Sequence, residues 1–397
     1  MEYSKETIMR NFRFHLVGLA HLPASKLYNA CAYTQKILKL SEMLMSLGHQ
    51  VVYYGSEGSG VVCSEFVPTH TVEDIRNDYG DGNDKFAIGY DYKTEGFRED
   101  LNSKLEDQKP STRKFYLNCS GGILARKRDD DFLLLMMGAY HQPISMMADL
   151  FLTCEPGIGY RGSFAKFRAF ESHHLRSFMQ GKESKDSCYN GDIYDRVIPN
   201  YFDPNDFTYS FKKENYVLYL GRMHGRKGVR IAYEAAKKAK VHLKIAGQGG
   251  KVEKDGSFSS IMDPELKFPK GDWEYLGYAD IEKRRWLLSR ARALLVPTQY
   301  MEPFAGVHIE AMISGTPPIT SDFGVFPGTI TDSIDGELGF RCNTLNDYVN
   351  AIEHSKDVYP PHIRSHSQRY FMENVKYDYQ KWFEDLYDLY LKSKGGA

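Results

Sequence analysis

Short apolar runs alternate with amphipathic stretches along most of this chain, and glycine or proline punctuates nearly every junction. Phe12-Arg-Phe-His-Leu-Val-Gly-Leu-Ala20 predicts a first strand, followed by a loop at His21-Leu-Pro-Ala-Ser25 and a helix with apolar spacing over 28–47. Gly48 supplies the stop. Val51-Val-Tyr-Tyr54 predicts a second strand, so the chain opens with a strand-helix-strand unit of the doubly wound kind. The region 71–111 is rich in Asp, Gly, Lys and Asn, which predicts helix and surface loop. Buried strands are expected over 132–137 and 150–154, and a short strand at Arg196-Val-Ile-Pro-Asn200 ends in a turn that marks a domain boundary.

The second half repeats the alternation more cleanly. Strands are expected over 217–220, 241–246, 273–277, 293–296 and 318–320, and helices over 229–239 and 281–292. The tail over 377–391 carries aromatic residues at helical spacing, which reads as a core-facing stripe. The pattern implies an α/β protein of two Rossmann-like domains, 1–204 and 205–374, with a C-terminal helix over 375–397. A length of 397 residues suits two cores better than one.

Charge is balanced, with 51 basic and 52 acidic side chains, so only a local patch would attract nucleic acid or a membrane. Six cysteines are scattered without a C-x-x-C pair, which argues against a zinc site or a disulfide scaffold and for a reducing, cytoplasmic compartment. Met1-Glu-Tyr-Ser-Lys lacks the basic-then-apolar order of a signal sequence. The most apolar segment, Phe132-Leu-Leu-Leu-Met-Met137, is too short to span a bilayer.

The candidate chemistry lies mainly in the second half. Gly221-Arg-Met-His-Gly-Arg-Lys-Gly228 follows an apolar strand, and Arg222 and Lys227 in this glycine-rich turn are two fixed cations suited to a leaving diphosphate. Glu302-Pro-Phe-Ala-Gly-Val-His-Ile-Glu310 places two carboxylates about two helical turns apart, expected on one face. The amides of Phe304, Ala305 and Gly306 are expected to point at an anion from the start of that helix. Gly247-Gln-Gly-Gly250 is a second glycine loop at a strand end. In the first half, Arg161, Lys166, Arg168, His173, His174 and Arg176 form a basic cluster that reads either as a solvated helix face or as contact with a polyanionic acceptor. Asp129-Asp-Asp131 precedes a strand rather than leaving one, which argues against a metal-binding Asp-x-Asp.

Arg-x4-Lys followed by Glu-x7-Glu resembles the donor site of the family 4 retaining glycosyltransferases, which have the GT-B fold. The likeness extends over 217–342, including Asp335-Gly-Glu-Leu-Gly-Phe340, and reaches back to Val197-Ile-Pro-Asn-Tyr-Phe-Asp203. It implies two domains with parallel sheets facing a central cleft, and a last helix that crosses back onto the first domain. It further implies metal-independent transfer of a sugar from a nucleotide diphosphate, UDP being the commonest in the family, to an acceptor hydroxyl with retention. Under that resemblance Arg222, Lys227 and the helix amides stabilise the leaving diphosphate, Glu302 holds sugar hydroxyls and Glu310 binds ribose. Gly221, Gly247 and Tyr278 border the donor, and His141 positions the sugar from the opposite domain. The acceptor side is expected at Gly18, His21, Tyr160, Arg161, Lys166 and Arg168.

The segments Asn29-Ala-Cys-Ala-Tyr-Thr-Gln-Lys36, Glu155-Pro-Gly-Ile-Gly-Tyr-Arg-Gly162 and Phe170-Glu-Ser172 resemble a branch found in viral and bacterial genomes. Two acceptors remain open. One is a surface glycan or lipid precursor; the other is a hydroxymethylated base in phage DNA, in a host cytoplasm, which requires a base to be flipped into the cleft. An inactive nucleotide-sugar-binding or scaffold protein on the same fold is the alternative of another class, and the intact Arg222, Lys227, Glu302, Glu310 set argues against it. Glycogen synthases and sucrose-type synthases fit less well, because the chain is short and without extra domains.

Overall fold

The computed structural model describes residues 9–28, 31–79, 109–160, 162–184, 191–329 and 336–395. The first sheet contains β1 (Arg13–Val17), β2 (Gln50–Gly55), β3 (Glu65–Pro68), β4 (Phe132–Leu134), β5 (Leu152–Ile158), β6 (Phe167–Phe170) and β7 (Arg196–Val197). The order is β3-β2-β1-β4-β5-β6-β7, and every pairing is parallel. The central strands are apolar on both faces because helices cover both sides. Phe14 on β1 pairs in register with Val51 and Phe132.

The second sheet contains β8 (Tyr216–Leu220), β9 (His242–Ala246), β13 (Trp273–Tyr275), β14 (Ala293–Val296), β15 (Pro318–Ser321) and β16 (Phe340–Cys342), again all parallel, in the order β13-β9-β8-β14-β15-β16. Beside it lies a small antiparallel sheet of β10 (Gly250–Val252), β11 (Phe258–Ser260) and β12 (Lys267–Phe268).

The last helix, Met372–Ser393, presents the aromatic stripe to the first domain. Its Tyr379, Trp382 and Phe383 are buried in the same core as Phe14 and Phe132, with the Phe383 ring 4.7 Å from Phe14 and 5.1 Å from Phe132. Burial of that stripe fixes a helix whose outer face is charged. The chain passes between the domains twice, and the crossings pair at Phe202 and Phe371: Phe202 N donates to Tyr370 O at 2.9 Å and Met372 N to Phe202 O at 3.0 Å.

Two expectations change. The 132–137 strand stops at Leu134, because Gly138 takes φ +57° and opens a 3-10 turn at Gly138–His141. β6 is an addition: Phe-Arg-Ala-Phe is a short strand whose alternating Arg168 makes it read as part of a basic surface. The charged region 80–108 lies outside the described residues, and helices Val72–Tyr79 and Pro110–Leu124 flank it. Among the described residues no helix is long and apolar enough to cross a membrane.

Candidate active site

Three loops at the carboxyl ends of β8, β9 and β14 lock together at backbone distance. Gly221 N donates to Ala246 O at 3.0 Å, and Met223 N to Gln248 O at 2.9 Å. Gly247 takes φ +140°, and a Cβ there would lie 1.8 Å from Gly221 O; Gly228 takes φ +78°, and a Cβ would lie 1.9 Å from Pro297 O. Only glycine permits these approaches. Gln299 N donating to Arg226 O at 2.8 Å completes the lock. The Arg222 and Lys227 turn is thereby held against the loop that carries Glu302, at the sheet end where α/β proteins bind ligands.

Glu302 is buried, with 7% of its surface exposed, and both its oxygens are engaged. Lys227 forms an ion pair with Oε1, and the Tyr300 hydroxyl donates to Oε2 at 2.7 Å. The Lys227 ammonium and the Arg226 guanidinium sit 4.9 and 5.0 Å from the Tyr300 ring centroid. Burial and the neighbouring carboxylate push the Tyr300 phenol well above its ordinary range, so it remains a hydrogen-bond donor. Sequence reasoning misses Arg226 and Tyr300. Their signal is adjacency alone: Arg226 stands inside the glycine-rich turn, and Tyr300 two positions before Glu302.

The two carboxylates do not share a helical face. The helix is Val307–Ile313, and Glu302 precedes it in a loop in which Ala305 takes φ +61°. This left-handed residue turns the chain, and its carbonyl accepts from His308 N at 3.2 Å and His308 Nδ1 at 2.6 Å. Phe304 is buried in the interdomain joint, 6.3 Å from Phe202 and 5.7 Å from Tyr370, and a Cβ on Gly306 would touch the Phe202 ring. Glu310 projects from the helix to Arg284, whose Nη1 lies 3.3 Å from both its oxygens. Tyr278 is half-buried in the loop after β13.

On the first domain, Gly18 follows β1, donating to Tyr54 O at 2.7 Å, and a Cβ there would lie 2.5 Å from the Tyr53 hydroxyl. His21 is buried in the next turn. His141 is buried at the end of the turn after β4, beside the Gly18 backbone. Burial pushes it down to about 3, so the imidazole is neutral. Tyr160 spends its hydroxyl on Glu155, which also accepts from Phe164 N and Ala165 N at 2.7 and 2.8 Å. Below this turn Lys36, buried and donating to Gly157 O at 3.0 Å, pairs with Glu171, an ion pair that no local pattern suggests.

The basic cluster is not one surface. Arg168 is committed to Asp195 through two bonds of 2.9 and 2.8 Å and to Glu183 through one of 2.8 Å, and is therefore a structural cation rather than an acceptor contact. Lys166 lies at the amino end of β6, over the Phe151 and Phe167 rings, away from the end that meets the donor loops. Both acceptor-side expectations are corrected on these grounds. Arg161 lies outside the described residues, as does Asp335. Asp131 accepts from Arg13, His15 and Arg128 N at the start of β4, which suits anchoring rather than metal binding. No cluster of potential metal ligands occurs among the described residues.

Residues 204–364 match the family described as Glycosyl transferases group 1, and that span contains every donor-side residue discussed above. The second domain thus resembles the group 1 glycosyl transferases. The chain is 30% identical over 131 residues to a glycogen synthase of Mycobacterium tuberculosis, a stretch covering 32% of this chain and 30% of that protein. It is 27% identical over 218 residues to the O-antigen chain mannosyltransferase RfbU of Salmonella typhimurium, covering 54% of this chain and 60% of the relative. The chain thus spans under a third of the first relative and three fifths of the second. Whole-chain likeness is a matter of fold. Sucrose-phosphate synthase from Thermosynechococcus elongatus superposes with a TM-score of 0.64 at 16% identity, covering 96% of this chain and 100% of that one. Anabaena HepE in complex with UDP-glucose does so with 0.59 at 12%, covering 95% and 99%. The matched domain is therefore the second half of a GT-B fold.

Proposed function

We propose that this protein is a retaining, metal-independent glycosyltransferase that moves a sugar from a nucleoside diphosphate, UDP in the first instance, to an acceptor hydroxyl. The observation that carries this reading is the buried Glu302 carboxylate, held by Lys227 and Tyr300 at the meeting of three strand-end loops. A buried acid with this degree of fixation is expensive unless it has a ligand or a partner to serve.

A diphosphate entering the 221–228 turn competes with Glu302 for the Lys227 ammonium. Transfer of that cation to the phosphate frees Glu302 Oε1 to accept a hydroxyl of the donor sugar, while Tyr300 keeps Oε2 in place. Arg222, Lys227 and Arg226 then offset the charge that grows on the departing diphosphate, a contribution that commonly dominates in such sites. Glu310 receives the ribose hydroxyls, and His141, neutral and enclosed beside the Gly18 backbone, fixes the loop after β1 that faces the sugar. Closure about the Phe202 and Phe371 joint excludes water. Anabaena HepE, a protein of the same fold that holds UDP-glucose, supports UDP as the first donor to try.

The test is the stereochemistry of the product with an α-linked donor, followed by proton NMR in buffer containing EDTA. An α-linked product formed at an undiminished rate is expected. A β-linked product removes the retaining assignment, and loss of turnover restored by magnesium or manganese removes metal independence.

A further inference from the structure

An open groove of about 640 Å³ runs along one face of the His173–Glu183 helix and ends against Met301 of the second domain. Its helical wall is His173, His174, Ser177, Phe178, Gly181 and Lys182, spaced so that one face supplies all six. Met301 adjoins Glu302. The Ser172 hydroxyl, which caps this helix, donates to Pro303 O at 2.8 Å, so the groove is fixed to the Glu302 loop across the interdomain boundary. It lies between the carboxyl ends of β6 and β14, where a second substrate would reach the donor sugar.

The groove combines two chemistries. Phe178 is 40% exposed and Phe323, whose ring lies 6.2 Å from His174, is 45% exposed. Exposed aromatic rings on the groove wall and beside His174 suit the apolar face of a sugar ring. Lys182 contributes an exposed cation, and His173 and His174 contribute imidazole donors. Among the described residues, Glu183 at its border pairs with Arg168, which also holds Asp195, and Asp322 pairs with Arg341, at 2.8 and 2.9 Å. Lys182 and the two imidazoles are the groups of the groove wall that would meet an anion.

We propose that this groove is the acceptor subsite and takes a saccharide bearing a phosphate or carboxylate. The sugar ring lies on Phe178 and Phe323 and the anion lies toward Lys182, which leaves a hydroxyl facing the donor site beside Met301. In the transfer, that hydroxyl oxygen forms the bond to the anomeric carbon as the carbon–oxygen bond to the diphosphate breaks. The diphosphate leaves with the bonding pair, and the hydroxyl proton goes to a diphosphate oxygen. This rests on the glycosyltransferase reading, and its test is separable from it because sugar binding and UDP binding are measured independently.

Glucose 6-phosphate, glucuronate and glucose are titrated by calorimetry against the wild-type protein, Lys182→Glu, Lys182→Arg and Phe178→Ala, with UDP titrated in parallel. At least one anionic sugar is expected to bind about tenfold more tightly than glucose, with about fivefold or greater loss in Lys182→Glu and near-wild-type binding in Lys182→Arg. Phe178→Ala is expected to weaken all sugars that bind. Preference for glucose 6-phosphate identifies phosphate as the anion, and preference for glucuronate identifies carboxylate. Equal binding of glucose, no binding of any sugar up to about 20 mM, or indifference to Lys182→Glu overturns the proposal. Absence of UDP binding with sugar binding intact overturns the donor reading instead.

Discussion

The Tyr300 hydroxyl donates to Glu302 Oε2 at 2.7 Å while its ring faces the cations of Lys227 and Arg226, so one side chain organises both the acid and the bases of the site. Phenylalanine at 300 keeps the ring and removes the hydroxyl, whereas leucine removes both. A hydrogen bond to a charged group contributes about 1.5–3 kcal/mol, so Tyr300→Phe is expected to lower kcat/KM by about tenfold or more through Glu302 alone. Tyr300→Leu should additionally weaken UDP itself. Steady-state rates and UDP titration on the two variants separate these effects; equal UDP affinity in both would contradict the role given to the ring.

Arg222 and Lys227 are proposed to act on charge that develops as the diphosphate leaves. Arg222→Ala and Lys227→Ala are each expected to cost about 3 kcal/mol of transition-state stabilisation, seen in kcat more than in KM. Lys227→Ala also leaves the buried Glu302 without its ionic partner, so its melting temperature is expected to fall as well. Unchanged turnover in both variants would contradict the clamp.

Ala305 holds a left-handed conformation at φ +61° between Glu302 and the Val307–Ile313 helix. A β-branched side chain tolerates that region poorly, so Ala305→Val is expected to destabilise the protein by about 1–3 kcal/mol. Ala305→Gly relieves the steric cost and is expected to fall within about 1 kcal/mol of the parent, because glycine gains unfolded-state freedom at the same time. Denaturant titration measures both.

His141 and His308 are buried neutral, pushed by burial to about 3 and about 4 from an ordinary value of 6.5. A group whose folded pKa is depressed is protonated first in the unfolded chain. Below 6.5 the unfolded state therefore binds more protons, and stability falls as pH drops toward 4. Urea midpoints at about pH 7, 6 and 5 should decline. His141→Gln is expected to flatten the slope between about pH 6 and 5, and an unaltered slope would contradict burial of the neutral ring.

Much of this arrangement is legible in the sequence, for reasons that can be named. β8 and β14 are apolar runs, and β8, β9 and β14 end at Gly221, Gly247 and Pro297; Gly228 starts the helix after the turn, and backbone contact at Gly228 and Gly247 excludes any side chain. The aromatic stripe of the last helix shows its buried face through spacing alone. Three features are not legible. β6 is short, and its Arg168 points to partners at Asp195 and Glu183 that no local pattern reveals. The bend at Ala305 carries no glycine at that position, so the two carboxylates look like parts of one helix. The Lys36 and Glu171 pair joins residues far apart in the chain, and such pairing is set by tertiary packing.

The most direct test of the central claim is release of nucleoside diphosphate from a panel of nucleotide sugars, compared between the wild-type protein and Glu302→Gln. Glutamine preserves the shape and removes the charge that pairs with Lys227. Release from at least one UDP-sugar, reduced by about a hundredfold or more in Glu302→Gln, is expected. No release from any donor, or equal release from both proteins, would contradict the assignment of this buried carboxylate to a nucleotide-sugar site.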